Sequence, residues 1–216
     1  CISHRATRKG LHPMHHMTVF DTPVIRPFFR LISQLCLKLM GWRVVGQLPD
    51  QPKYVIIGAF HTSNWDFVIG LSAAFMLRIK AYWVGKDNLF RAPFDIFFRW
   101  TGGIPINRSI SQNLVERITE IYRARERLVV ALAPEGTRKK VKHWKTGFYH
   151  IAVGAGVPIV LGFIDYRKKL CGLGPVLVPT GDIAADMEKI RRFYSGVTAK
   201  YPDMMGLPSI EPQKYR

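Results

Sequence analysis

Acidic residues are scarce in this chain of 216 residues: 15 Asp and Glu stand against 32 Lys and Arg, giving a formal net charge of +17. This imbalance does not define a fold, but it predicts an anionic partner: nucleic acid, an acidic protein, an anionic membrane surface or a phosphorylated substrate. Hydrophobic residues make up 48% of the chain, a composition typical of folded domains rather than disordered ones. The length suits one domain with a sizeable core.

Long apolar runs are also missing. The longest mostly apolar stretches are 67–77 and 157–164, shorter than the roughly 18 residues that a membrane-spanning helix needs, which excludes a polytopic membrane protein. Cysteine occurs only as Cys1, Cys36 and Cys171. Three scattered cysteines form neither a disulfide framework nor a metal-ligand cluster, and they favour a reducing, cytosolic compartment.

The two ends of the chain lack regular patterns. Residues 1–16 mix His, Arg, Lys and Gly without periodicity, and we expect a poorly ordered leader there. Because the first residue is Cys rather than Met, we expect the natural start to lie upstream. Three histidines of the leader could bind a metal, but such a cluster is more often incidental, and no metal site is expected; they are His12, His15 and His16. Residues 201–216, rich in proline and polar residues, are expected to form an irregular tail.

Residues 17–48 form an N-terminal segment whose helix is predicted at 28–42. Its polar and small residues fall on one narrow stripe of the helical wheel and leave a wide apolar face; they are Arg30, Ser33, Gln34, Lys38 and Gly41. Two interpretations are open. The helix packs on the core, or it lies in a membrane interface with Arg30 and Lys38 towards lipid headgroups.

From residue 49 to 200, short apolar runs alternate with helical patterns. Strands are predicted at 54–60, 80–86, 128–133, 157–165 and 174–179, and helices at 66–79, 93–100, 110–126, 146–154 and 183–200. Ser109 and Gln112 suggest a capping box for the fourth of these helices, and Asp182 a cap for the last. The alternation predicts a single α/β domain, with a mostly parallel or mixed central sheet flanked by helices. Sites in such sheets lie beyond the strand ends, in the loops that enter helices.

The loop after the first predicted strand contains a histidine and a carboxylate. It reads His61-Thr62-Ser63-Asn64-Trp65-Asp66. Side chains five residues apart can meet across a strand-to-helix turn, where the carboxylate fixes the imidazole tautomer and leaves the other ring nitrogen free to act as a base. Taken alone, the spacing is better explained by a histidine that is merely hydrogen-bonded near a helix cap.

Two further loops carry glycine and arginine. Residues 134–138 read Pro-Glu-Gly-Thr-Arg; Gly136 permits close backbone approach to a ligand, Arg138 can hold a phosphate and Thr137 adds a donor. A basic run follows at 139–145. Residues 102–108 read Gly-Gly-Ile-Pro-Ile-Asn-Arg. By itself, each loop is at least as well explained by an ordinary solvated turn.

Together these segments resemble the four motifs of the glycerol-phosphate and lysophospholipid acyltransferases. The motif residues occur in the family's order and spacing: His61 with Asp66, Gly103 with Arg108, Glu-Gly-Thr-Arg at 135–138, and Val-Pro-Ile-Val at 157–160. From about 49 to 179 the chain is similar to the 1-acylglycerol-3-phosphate acyltransferases. Lys86 and Lys145 also resemble family positions, which flank the second and third motifs.

The resemblance implies a one-step acyl transfer that needs neither metal nor cofactor. His61 would take the proton of an acceptor hydroxyl, which attacks the thioester of acyl-CoA or of an acyl-carrier protein, and Asp66 would hold His61. Ser63 is not expected to be a nucleophile, because the family does not use that position. Arg108 and Arg138 would bind the acceptor phosphate. The full set of residues expected to bind substrate is Lys86, Arg108, Glu135, Gly136, Thr137, Arg138 and Lys145.

Departures from the family pattern affect the expected acceptor. Phe60 stands where the family often has Asn, Asn107 where Asp is common, and Pro105 interrupts an apolar run. The expected acceptor is the lysophospholipid 1-acylglycerol-3-phosphate, giving phosphatidate, with a lyso-aminolipid as the alternative. The expected location is the cytoplasmic side of a membrane, as a peripheral protein on an anionic surface, with the amphipathic helix of segment 17–48 as the expected membrane contact.

A reading from another class is a non-enzymatic binder of anionic membranes or nucleic acid. It leaves the pair His61 and Asp66 without a purpose, and the chain carries no recognisable nucleic-acid motif. No nucleic-acid partner is therefore expected.

Overall fold

The computed structural model describes residues 17–106 and 114–209. In chain order, the helices and strands are α1 (Ile25–Leu39), β1 (Arg43–Val45), β2 (Lys53–Ala59), α2 (Trp65–Met76), β3 (Ala81–Lys86), α3 (Asp95–Trp100), β4 (Gly103–Ile106), α4 (Leu114–Arg123), β5 (Leu128–Leu132), α5 (Gly147–Ala155), β6 (Ile159–Asp165), β7 (Leu170–Leu177) and α6 (Ile183–Tyr194).

The strands form one mixed sheet in the order β1-β7-β6-β2-β5-β3-β4. Among the strands of the described residues, only β6 and β7 pair in antiparallel fashion, whereas the other neighbours are parallel. The predicted α/β fold with a mixed central sheet is thus confirmed. Since β2, β3, β5 and β6 run in the same direction, their carboxyl ends meet at one edge of the sheet, where a site is expected.

Both faces of the sheet are covered. Alternate residues of β2 divide between them: Val55 and Ile57 face a core formed with α4, α5 and α6, while Ile56 faces a smaller cluster that includes α2 residues. Helix α1 packs on α2, and Leu37 of α1 shares a buried cluster with Ile69 and Ala73 of α2. Burial on both faces explains why the central strands are continuous apolar runs in the sequence.

Two edge strands were not predicted from the sequence. β4 occupies a segment whose glycines and proline are typical of a turn, and β1 has only three residues, too few for a pattern. Pro105 is tolerated in β4 because an edge strand has one side without ladder partners.

The predicted helices are confirmed with shifted ends. α6 ends at Tyr194 instead of reaching 200, just before Gly196, a residue that disfavours helix. Its predicted cap is present, since Asp182 accepts hydrogen bonds of 3.0 Å from the backbone N–H groups of Ala184 and Ala185. The capping box of Ser109 and Gln112 lies outside the described residues, as do the leader 1–16 and the end of the tail. Within 201–209, the one helical turn is the short 3-10 segment Pro202–Met204.

Helix α1 directs most of its apolar face outward. Phe29 packs against Phe75 of α2 and Trp100 of α3, with ring centroids 5.5 and 5.8 Å apart, and Ser33 is buried. Five large apolar side chains of α1 are exposed, namely Phe28, Leu31, Ile32, Leu35 and Leu39. None of the helices within 17–106 and 114–209 combines the length and the hydrophobicity that crossing a bilayer would require.

Candidate active site

The segment between β2 and α2 turns sharply at the carboxyl edge of the sheet. Phe60 is 2% exposed and packs against the rings of Trp144 and Tyr194, which anchors the start of the turn. Asp66 lies in the first turn of α2, and its Oδ2 accepts hydrogen bonds from the backbone N–H groups of Thr62 at 2.8 Å and Ser63 at 2.7 Å. A carboxylate is favourable there because the unpaired N–H groups of a helix start carry partial positive charge.

The same Oδ2 of Asp66 lies 3.2 Å from Nδ1 of His61. Burial alone would raise the pKa of Asp66, but hydrogen bonds from His61, Tyr166 and the Ser63 backbone outweigh it, and its pKa lies below the ordinary value. The carboxylate is therefore ionised at neutral pH and accepts a hydrogen bond from the N–H group of Nδ1. This tautomer leaves Nε2 of His61 with a free lone pair, the arrangement of a general base.

Tyr166 completes the surroundings of Asp66, and no sequence signal pointed to it. It directly follows β6, and its hydroxyl donates to Oδ1 of Asp66 at 2.7 Å. The Tyr166 ring packs edge-on against Trp42, with centroids 5.0 Å apart. Both carboxylate oxygens are thus engaged, which fixes the orientation of Asp66 towards His61.

Glu135, in the loop after β5, binds the backbone of His61. Its Oε2 accepts the backbone N–H of His61 at 2.9 Å, and the residue is 5% exposed. Burial raises the pKa of Glu135 to about 7, although its hydrogen bond with the His61 backbone acts in the opposite direction. The next residue, Gly136, has φ 63°, a left-handed conformation that glycine adopts without steric cost.

A cavity of about 2230 Å³ opens at this edge of the sheet. Most of the predicted site residues line it: His61, Asp66, Lys86, Gly136, Thr137, Arg138 and Lys145. Glu135 is not among the lining residues, and Arg108 lies outside the described residues. Arg138 also links the third-motif loop, residues 134–138, to the first-motif loop, residues 61–66, because its Nη1 donates a hydrogen bond to Oδ1 of Asn64.

The charge lining the cavity is strongly positive. Among the described residues its cations are Lys86, Arg91, Arg138, Lys139, Lys145 and Lys200, whereas Asp66 supplies the only carboxylate. That carboxylate is already engaged by His61. The cavity therefore suits an anionic ligand such as a phosphate.

An apolar part of the cavity extends between α2 and the sheet, where Ile56 and Leu71 are among its walls. Two glycines keep it open: a Cβ placed on Gly58 or on Gly70 would meet no atom within 4 Å. Substrate with both a charged and an apolar part would fit this combination of surfaces. Over 17–106 and 114–209, the side chains of His, Cys, Asp and Glu form no cluster of three or more suited to a metal ion.

The family model described as Acyltransferase matches residues 42–161. The chain belongs to this family. The match includes the loops of His61 and Arg138, while Tyr166 and Lys200 lie beyond it. The resemblance identified from the sequence motifs is thereby confirmed.

Individual relatives agree with this membership. The chain is similar to 1-acyl-sn-glycerol-3-phosphate acyltransferases of Haemophilus influenzae (29% identical, over 56% of this chain and 53% of the relative), Salmonella typhimurium (33%, 56% and 52%) and Escherichia coli (32%, 56% and 52%). The chain spans about half the length of these curated relatives.

The fold also has a counterpart among solved structures. The crystal structure of the 1-acyl-sn-glycerophosphate acyltransferase PlsC from Thermotoga maritima superimposes with a TM-score of 0.54 over 79% of this chain and 75% of that one, at 17% identity. This likeness shows that the two proteins share the fold.

Proposed function

We propose that this protein is an O-acyltransferase that moves a fatty acyl group from a thioester donor to the hydroxyl of a lysophospholipid, with 1-acylglycerol-3-phosphate as acceptor and phosphatidate as product. The observation that carries the proposal is the His61–Asp66 pair, with Nε2 free, in a cationic cavity that continues into an apolar one. The names of the relatives favour this acceptor over a lyso-aminolipid.

In the proposed reaction, Nε2 of His61 takes the proton of the acceptor hydroxyl as the hydroxyl oxygen attacks the thioester carbonyl carbon. The ionised Asp66 stabilises the imidazolium that forms and keeps its own charge. The C–S bond then breaks, and the departing sulfur receives the proton from His61. An ester and a free thiol result, and the enzyme returns to its starting state without forming a covalent acyl-enzyme intermediate.

The acceptor phosphate is assigned to the third-motif loop. Arg138 supplies a planar guanidinium that can form two parallel hydrogen bonds with a phosphate, and Thr137 and the Gly136 backbone line the same wall. Lys86 and Lys145 add positive charge to the cavity. Arg108 is proposed as a second phosphate ligand from its place in the sequence motif.

Replacing Arg138 with alanine is expected to raise KM for lysophosphatidate by about 10- to 100-fold, the range typical of a lost charge-assisted hydrogen bond. KM for the acyl donor should change little, and steady-state kinetics with each substrate varied in turn measure both. Asn64→Ala is the matched control, because it removes the hydrogen bond between Asn64 and Arg138 but keeps the arginine. A rise in donor KM with acceptor kinetics unchanged would reverse the assignment.

The donor is proposed to be acyl-CoA or an acyl-carrier protein, with the acyl chain in the apolar extension beside Gly58 and Gly70. The positive charge of the chain suits either donor, since acyl-CoA brings phosphates and an acidic carrier protein would dock on a basic surface. No cofactor is needed for this chemistry.

A peripheral position on the cytoplasmic side of an anionic membrane is part of the proposal, because the acceptor and product are lipids. The exposed apolar face of α1 is the proposed contact, with Arg30 and Lys38 near the headgroups. The packing of Phe29 on Trp100 sets α1 beside α3, and α3 exposes Ile96 and Phe97. These side chains enlarge the apolar surface.

Phe28→Asp combined with Ile32→Asp is expected to release the protein from anionic liposomes, because both side chains are exposed on α1 and charge there opposes insertion among acyl chains. Co-sedimentation with vesicles measures binding, and turnover of a short-chain, water-soluble lysolipid should persist. Val176→Asp with Val178→Asp adds the same charge at exposed positions and should leave binding intact. Unfolding of the α1 variant, seen by circular dichroism, would instead show that these residues stabilise the core.

Incubating the purified protein with acyl-CoA and a panel of lysolipids, followed by mass analysis of the products, tests the proposed function. The expected product is phosphatidate from lysophosphatidate. A diacyl product from another lysolipid alone would change the acceptor, and no product with any acceptor would favour the non-enzymatic binder.

A further inference from the structure

The segment 200–204 forms part of the wall of the active-site cavity, although it lies well beyond the residues that the family model matches. Its backbone is tied to the loop 61–66, the proposed catalytic loop, since the N–H of Tyr201 donates to Oγ1 of Thr62, the neighbour of His61, at 3.4 Å. On the other side, Ala199 is 2% exposed and packs in the main core. This attachment at both sides places Lys200 beside the catalytic loop.

Lys200 is a half-buried cation held against two aromatic rings. Its Nζ lies 5.4 Å from the centroid of the Trp65 ring and 5.8 Å from that of Tyr201, within the range of cation–π attraction. Trp65 belongs to the catalytic loop and begins α2. Within the described part of the chain, Lys200 has no carboxylate within ion-pair distance, unlike Lys168 and Lys189, which each pair with an aspartate.

Lys200 and Arg138 contact different residues of the catalytic loop. Arg138 is attached to Asn64, whereas Lys200 lies over the ring of the next residue, Trp65. Two successive residues of the catalytic loop, Asn64 and Trp65, therefore each contact one cation. The acceptor phosphate is already assigned to Arg138. A thioester donor such as acyl-CoA brings further phosphates, which need cations of their own.

We propose that Lys200, seated against Trp65, is a second anion-binding position of the cavity and takes a phosphate group of a substrate. This inference rests on the proposed acyl transfer. The ammonium group donates hydrogen bonds to the phosphate oxygens, and the aromatic rings hold it in place and restrict its contact with water. The phosphate belongs either to the donor or to the acceptor, and the two sources respond differently to the substitution.

Steady-state kinetics of Lys200→Gln, with acyl-CoA and lysophosphatidate varied in turn, test the proposal. We expect KM for the substrate that supplies the phosphate to rise about tenfold, with kcat within a factor of about two. If the donor supplies it, KM for acyl-CoA rises and KM for acyl-pantetheine, which lacks phosphate, does not. If the acceptor supplies it, KM for lysophosphatidate rises and KM for monoacylglycerol does not.

Two variants accompany this test. Lys200→Arg keeps the charge and should restore KM to near the wild-type value. Lys142→Gln makes the same change of net charge at an exposed residue that does not line the cavity, and it should leave both KM values unchanged. Unaltered KM values in Lys200→Gln, or an equal rise in Lys142→Gln, would overturn the proposal.

Titration calorimetry separates this inference from the proposed function. Free CoA and lysophosphatidate are titrated into the wild type and into Lys200→Gln, and one of them should bind about tenfold more weakly to the variant. A wild type that binds but transfers no acyl group refutes the proposed function, while the binding difference still decides the role of Lys200. Equal affinities of the two proteins for both probes would refute that role.

Discussion

His61→Ala is expected to reduce the rate of acyl transfer by about 10²- to 10⁴-fold, the range typical of a lost general base. The imidazole is the group that Asp66 orients, with Nδ1 at 3.2 Å from Oδ2 and Nε2 left for the acceptor hydroxyl. Alanine removes the base but leaves the backbone N–H that Glu135 accepts. Release of free thiol from acyl-CoA, followed in the presence of lysophosphatidate, measures the loss in kcat.

The cavity offers a matched control, since His150 also lines it and is exposed. His150→Ala removes an imidazole of the same kind without touching Asp66 and should retain most of the activity. Circular dichroism and thermal melting establish that His61→Ala is folded. A folded His61→Ala protein with wild-type turnover would eliminate the general-base mechanism.

Glu135→Ala is expected to lower kcat by about 10²-fold while changing KM for lysophosphatidate little, an effect that a misplaced catalytic group can produce. We assign Glu135 a positioning role, because it accepts the His61 N–H and does not line the cavity. Alanine leaves that buried N–H without a partner, which costs roughly 1–3 kcal/mol of stability as well. Kinetics and thermal denaturation of the purified variant measure the two effects.

Glu135→Gln separates positioning from acceptor binding. The amide oxygen can still accept the His61 N–H, so most of the activity should return even though the charge is gone. If Glu135 instead contacts the acceptor through its charge, the glutamine variant would also lose activity, and its KM for lysophosphatidate would change.

The unfolding free energies of Glu135→Gln and the wild type should also depend differently on pH. The pKa of Glu135 is raised from 4.5 to about 7 by burial, so between these values the folded state keeps a proton that the unfolded state has released. The wild type therefore loses unfolding free energy as pH rises through this window, and glutamine does not. The stability of Glu135→Gln relative to the wild type should rise by up to about 3 kcal/mol from pH 4.5 to 7. Chemical denaturation at several pH values measures the difference, and a constant difference would contradict the prediction.

Local patterns were sufficient for much of the fold and for the centre of the site. The central strands are buried on both faces, so they are continuous apolar runs that stand out in the sequence. His61 and Asp66 are five residues apart across one turn, and the contact between them is made within that turn. The edge strands β1 and β4 escaped prediction because short strands with glycine or proline are formed by pairing with neighbours, not by their own propensity.

The face on which a side chain lies was less predictable. For α1 the sequence established an amphipathic helix and left two packing modes open. The structure packs α1 on its neighbours through Phe29, Ser33 and Leu37 and exposes most of the apolar face. Periodicity determines which residues share a face, but the neighbouring helices determine which face is covered.

The sequence by itself determined the α/β class, the strongly positive charge and the family, because these depend on composition, local periodicity and the spacing of short motifs. Only the tertiary structure directed Glu135 to the His61 backbone, brought Tyr166 to Asp66 across 100 residues, and set Lys200 against Trp65. Hydrogen bonds and ring contacts between distant residues require particular strands and loops to meet at one edge of the sheet. That meeting is decided by strand order and helix packing, which no local spacing encodes.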